Sequence, residues 1–115
     1  MKVIIAGGRK FNDYEMLRSK CDFILSNQKH IEVVSGAAEG ADKLGEKYAR
    51  EKGFEIKRFQ ADWSKGKSAG YKRNKQMAEY ADALIRFWDG ESKGSKHMID
   101  LATESNLKVK VIIYK

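Results

Sequence analysis

The chain has 115 residues with 10 Gly, no Pro and one Cys, and its 23 Lys and Arg against 16 Asp and Glu leave a formal charge of +7. That length suits one domain with a core of its own. Lone Cys21 excludes an internal disulfide and points to a reducing compartment, and no segment approaches the roughly 20 apolar residues of a membrane span. The apolar run at residues 1–8 is too short for a signal peptide, so a soluble, cytoplasmic protein without membrane partners is expected. The positive charge favours an anionic partner. The basic residues are scattered, however, so charge alone does not choose between nucleotide, nucleic acid and a lysine-rich solvated surface.

Residues 2–6 are apolar and β-branched without alternation, as in a parallel strand buried on both faces. Gly7-Gly8-Arg9 ends that strand. Asn12 and Glu15 have the spacing of a capping pair, and Tyr14, Leu17, Cys21, Ile24 and Leu25 then line one helical face to about residue 27. On that stripe Cys21 is expected to pack rather than react. Residues 31–34 predict a second strand. A second helix is predicted over 40–52, with Ala41, Leu44, Tyr48 and Ala49 inward and Gly53 as its C-terminal cap. Residues 54–59 alternate like a half-exposed edge strand. A polar loop follows, then a helix over 68–80 with Met77, Ala78 and Ala81 inward. The remaining elements are a strand over 83–88, a helix opening at Gly94 with Met98, Leu101 and Ala102 on one face, and a strand over 109–114.

Strands alternating with helices predict an α/β domain, a five-stranded parallel sheet with helices on both faces. Right-handed crossovers suggest the order 3-2-1-4-5, which reverses between strands one and four and puts a ligand crevice outside the carboxyl ends there. No linker, internal repeat or low-complexity segment divides the chain.

Four strand-end loops are expected to share one site. In Ser35-Gly36-Ala37-Ala38-Glu39-Gly40-Ala41-Asp42, a strand stops at small residues and a helix begins. That is the half-unit that receives phosphate on N–H groups in α/β proteins. Ser35, Gly36 and Ala37 would offer N–H groups and a hydroxyl. Glu39 and Asp42 stand where carboxylates are favoured at a helix start, and for Asp42 a cap and a ribose or catalytic contact are equally compatible. Arg9, behind Gly7 and Gly8, has a guanidinium suited to bidentate anion binding. Arg73-Asn74 lies in the densest basic cluster. Trp63 and Trp88 end strands on the ligand side, where an indole either stacks on a base or plugs the sheet. Asp89, Ser92, Gly94 and Ser95 make a second Gly/Ser helix start. His30 and His97 lack ligand company, so no metal site is assigned. Neither a P-loop nor the dinucleotide fingerprint can be assembled, and no cofactor is assigned.

Several motifs in register then resemble one family. They are Gly7-Gly8-Arg9 with Phe11 and Asp13-Tyr14, Ser35-Gly36-Ala37 with Gly40-Ala41-Asp42, Ala61-Asp62-Trp63, Gly66-Lys67 with Ala69-Gly70, Arg73-Asn74 with Met77-Ala78, and Trp88-Asp89-Gly90-Glu91-Ser92 with Gly94. Together they are similar to the YpsA-related branch of the SLOG superfamily, which joins the DNA-processing protein Smf/DprA to the LONELY GUY phosphoribohydrolases. The resemblance implies a single Rossmann-like three-layer domain over 1–115. It implies a nucleotide or nucleotide-derived ligand of the ADP-ribose or nucleoside monophosphate type, bound or processed as a signal. It also implies that Gly7, Gly8, Arg9, Ser35, Gly36, Asp42, Arg73, Asn74, Asp89, Ser92, Gly94 and Ser95 face that ligand. Rossmann-like relatives often form dimers, which leaves a homodimer or higher homo-oligomer open. The phosphoribohydrolases carry P-G-G-x-G-T-x-x-E with a catalytic glutamate. Here Gly94-Ser95-Lys96-His97-Met98 keeps a hydroxyl and replaces the glutamate with Met98. N-glycosidic hydrolysis would therefore need another carboxylate: Asp89, Asp42 or Glu39. Single-stranded nucleic-acid binding ranks below both readings, because no aromatic-studded groove is visible.

Overall fold

The computed structural model describes residues 1–114. The five strands are β1 (Lys2–Gly7), β2 (Glu32–Ser35), β3 (Glu55–Arg58), β4 (Ala83–Trp88) and β5 (Lys108–Ile113). All neighbours pair in parallel, in the order β3-β2-β1-β4-β5. Helices α1 (Tyr14–Ile24), α2 (Ala41–Lys52), α3 (Ser68–Tyr80) and α4 (Lys93–Glu104) connect them, with a short 3-10 turn at Trp63–Lys65. This is the three-layer α/β domain that the alternation of elements predicts.

The run at the centre of the sheet explains the layering. Successive side chains of a strand point to opposite faces, so an uninterrupted apolar strand needs cover on both. Val3 and Ile5 enter one cluster with Leu17 and Cys21 of α1 and Tyr48 and Ala49 of α2. Ile4 and Ala6 enter the other with Met77 and Ala78 of α3 and Met98 and Ala102 of α4. Cys21 is fully buried, and burial pushes its thiol up to about 12. It is a packing residue without thiolate chemistry.

Helix ends follow local chemistry. Gly53 closes α2 in the left-handed conformation at φ 75°, as the sequence predicts. The start of α1 differs from the expected Asn12–Glu15 pair. The cap is Asp13, whose carboxylate accepts the Met16 N–H at 3.0 Å, and Glu15 turns outward to pair with Arg18. Asp13 takes the role because its side chain reaches the third residue of the helix, which is the geometry a cap requires.

The order reverses between β1 and β4, where Ala6 pairs with Arg86 and Gly7 with Phe87. Chains leaving these two strands cross to opposite faces, which opens a crevice at their carboxyl ends. Among the described residues no helix is long and apolar enough to cross a membrane, and no cluster of three metal-ligating side chains occurs.

Candidate functional site

A cleft of about 500 Å³ occupies that crevice. It is lined by Gly7, Gly8, Arg9 and Lys10 from the β1–α1 loop, Ala38 and Asp42 from the start of α2, and Trp63 and Lys67. Gly70, Arg73, Asn74 and Met77 of α3, Arg86 of β4, Asp89, Ser92 and Gly94 before and on α4, and Tyr114 complete it. A second lobe of about 430 Å³ continues past Arg9, Ala38, Trp63 and Arg73 to Gly36, Ala37, Glu39, Gln60 and Ala61. The four strand-end loops therefore meet, and Arg9, Trp63 and Arg73 stand in the wall common to both lobes. The Arg9 guanidinium lies 5.9 Å from the Trp63 ring.

Glycine holds the floor together at two positions. Gly40 has φ 80°, and a Cβ there would run into the backbone of Gly8 and Arg9. Only glycine allows the β1–α1 loop to rest on the start of α2. The contact is a hydrogen bond, Ala41 N–H donating to the Gly8 carbonyl at 3.2 Å. At Gly36 a Cβ would stand 2.7 Å from Asp42 Oδ2 and 3.2 Å from Arg73 Nη1. The bare backbone lets both charged groups close in.

The same contacts occupy part of the backbone that was expected to receive an anion before α2. Three donors, two in the loop and one opening the helix, have partners inside the protein. Ala41 N–H has the Gly8 carbonyl, Ala37 N–H donates to Ser35 Oγ at 3.0 Å, and Ala38 N–H donates to Asp42 Oδ2 at 3.3 Å. The first turn of α4 differs. Its cap residue Ser92 makes no side-chain capping bond, and a Cβ on Gly94 would meet nothing within 4 Å.

Charge in the cleft is carried by side chains. Five cations, Arg9, Lys10, Lys67, Arg73 and Arg86, line the first lobe against two carboxylates, Asp42 and Asp89. Arg73 Nη1 donates to the Gly36 carbonyl at 2.7 Å and Nε to Asn74 Oδ1 at 3.3 Å. Burial pulls the Arg73 and Arg86 guanidinia below the usual arginine range, and the Asp42 carboxylate partly offsets this in both. Burial also pushes the Asp42 carboxyl above the usual carboxylate range, against the charges of Arg86 and Arg73 and the N–H groups of Ala38 and Gly7. Asp89 behaves oppositely. The N–H groups of Glu91 and Ser92, both 2.9 Å from Oδ1, hold its carboxyl below the ordinary range, so it is a fully ionised carboxylate on the lip.

Three residues expected at the ligand stand away from the cleft lining. Ser35 is sealed, and its hydroxyl donates to Glu46 Oε2 at 2.6 Å. Ser95 is equally sealed and accepts two N–H groups from Arg86, Nε at 3.1 Å and Nη2 at 2.7 Å. Trp88 is pinned to its own loop, Nε1 donating to the Ser92 carbonyl at 3.1 Å. Of the two tryptophans, Trp63 faces the cleft, half exposed. Met98 lies fully buried in the α3–α4 core, so no carboxylate stands at its place. Sequence reasoning missed Arg86 and Tyr114. The available signal for Arg86 was a single cation interrupting the apolar strand Ala-Leu-Ile-Arg-Phe-Trp at residues 83–88.

The sequence model of the YspA, cpYpsA-related SLOG family matches residues 1–66. The Gene 61 protein of Mycobacterium phage D29 is 32% identical over 120 aligned positions, which cover 94% of this chain and 93% of that protein.

Proposed function

Since the chain belongs to the YspA, cpYpsA-related SLOG family, we propose that the cleft binds a nucleotide or nucleotide-derived ligand of the ADP-ribose or nucleoside monophosphate type. The protein would act as a sensor or processor of that signal. The supporting observation is the wall shared by the two lobes: Arg9 and Arg73 with the Trp63 ring beside them. Guanidinia bind phosphoryl oxygens in pairs, and an exposed indole offers a face to a base or ribose. Asn74, 8% exposed and lining the first lobe, adds an amide for a polar edge of the ligand.

The test is thermal unfolding with AMP, ADP-ribose, NAD and adenosine. A ligand at 100 times its Kd stabilises by about 2.7 kcal/mol. A dose-dependent rise in Tm with one of the phosphorylated compounds is the expected result. No rise with any of them at millimolar concentration overturns the proposal.

Asp42 favours a second reading. A carboxylate facing a nucleotide cleft is what N-glycosidic hydrolysis needs to stabilise positive charge on the sugar. Buried Asp42 and ionised Asp89 both line the cleft, and Glu39 lines the second lobe. Free base released from AMP or ADP-ribose, and lost in Asp42→Asn, is the outcome this reading requires. Intact nucleotide after long incubation removes it for those substrates.

A further inference from the structure

We propose that Arg86 is the seat of the ligand's phosphomonoester group, on the floor of the first lobe between β4 and α4. This rests on the nucleotide-binding reading above and names the ligand group that reading leaves open.

Arg86 is out of place by every structural criterion except ligation. It occupies a central parallel strand whose neighbours Leu84, Ile85 and Phe87 are buried and apolar. A cation there is stripped of much of its water, which is tolerable only with an ionic partner or several good acceptors. Inside the protein it has one neutral oxygen. Nε and Nη2 both donate to Ser95 Oγ, and Nη1 has no acceptor among the described residues. It forms no ion pair among them either. Asp42 attracts it through space while that carboxylate is held by the N–H groups of Ala38 in its own loop and Gly7 at the end of β1.

Arg58 marks the contrast. Its side chain is half exposed and could rely on water, yet it is paired with Glu46 at 2.9 Å. Arg86, on a central strand, has no such pair, and it lines the cleft. Ser95 fixes one edge of the guanidinium, so the group is oriented before any ligand arrives. The excess of five lining cations over two carboxylates calls for more than a single negative charge. A phosphomonoester supplies two charges and three oxygens matched to a planar fork.

The test uses the full chain as wild type, Arg86→Gln and Arg86→Lys, with AMP, adenosine and inorganic phosphate as probes in calorimetric titration and thermal unfolding. AMP is expected to bind wild type well ahead of adenosine. In Arg86→Gln its affinity should fall roughly 10- to 100-fold, toward that of adenosine. The ligand-free Tm of that variant should equal or exceed wild type, because an unpaired buried charge has been removed. Arg86→Lys keeps the charge and loses the fork, so it should retain the fold and bind AMP several-fold more weakly. Inorganic phosphate should raise the Tm of wild type and leave that of Arg86→Gln unmoved. AMP bound equally by wild type and either variant overturns the assignment and leaves the nucleotide reading standing. A ligand-free Tm that falls in Arg86→Gln while the AMP-induced shift persists overturns it as well, since Arg86 would then be a structural residue. No binding of AMP or phosphate by wild type overturns the assignment, and the nucleotide reading falls with it only if ADP-ribose and NAD also fail to bind.

Discussion

Asp42 and Glu46 lie one turn apart on α2, and both are almost sealed from water, yet their surroundings push them in opposite directions. Burial would raise the Glu46 carboxyl, but the hydrogen bonds from Arg58 and Ser35 and the charge of Arg58 outweigh it and hold Glu46 below its ordinary range. At Asp42 burial prevails. Glu46 is enclosed by its own partners: Ser35 at 2.6 Å, Arg58 at 2.9 Å through Nε and Nη2, and Arg50 at 3.9 Å. Asp42 faces a cleft whose guanidinia stand outside ion-pair range. The first is a finished clasp joining β2, α2 and β3. The second is a charge arrangement left open on one side. A buried carboxylate therefore signals a site only when its counter-charges are near and not closed upon it.

The largest expected effect comes from breaking the clasp. Glu46→Ala leaves Ser35 without its acceptor and Arg58 without its partner, and should cost about 2–4 kcal/mol in urea unfolding, with Arg58's exposure keeping the loss toward the lower figure. Ser35→Ala removes the same hydrogen bond from the other end. It should cost about 1–2 kcal/mol while leaving nucleotide affinity within about twofold of wild type. A large loss of affinity there would return Ser35 to the ligand site. Asp42→Asn should shift stability the other way, with a gain of up to about 1 kcal/mol near neutral pH, since a desolvated charge is removed and an acceptor for the Ala38 N–H is retained.

The smallest effect sharpens the contrast through pH. Asp42's folded pKa lies above its ordinary 3.8, so its contribution is full below that value and is lost as pH rises through the folded pKa. Glu46's lies below its ordinary 4.5, so its contribution is present above that value and is lost as pH falls through the folded pKa. Urea unfolding from neutral to acid pH should therefore show the advantage of Asp42→Asn shrinking as pH falls. The deficit of Glu46→Gln should shrink only in the more acid range. Parallel curves would refute the distinction.

The order of the sheet was legible because β1 is apolar on both faces and each of the first four strands is followed by a helix. The inward faces of α2, α3 and α4 were legible at 3.6-residue spacing. Arg9 and Gly36 were placed at the strand ends by their position after apolar runs, Asp42 by the helix start that follows, and Arg73 and Asn74 by the density of basic residues on the third helix. Three residues lie off the cleft lining because a hydroxyl or indole at a strand end is compatible with two directions. Ser35 and Ser95 turn inward to Glu46 and Arg86, and Trp88 turns back on its loop, choices made by partners 11, 9 and 4 residues away in sequence. Arg86 was missed for a related reason. Strand periodicity reports which face a residue takes, whereas ligation by a buried cation depends on what α2 and α4 bring opposite to it.

The Gly8 carbonyl, seated on the opening N–H of α2, has a consequence for how this protein diversifies. Main-chain donors cannot be altered by substitution, so a helix pole that grips an anion directly is inherited unchanged. Here the first N–H of that pole is taken by a neutral carbonyl, and the positive charge lining the cleft resides in five side chains. Substitution at Arg9, Lys10 or Lys67 can therefore change the charge of the cleft without touching the hydrogen bond that seats the β1–α1 loop on α2.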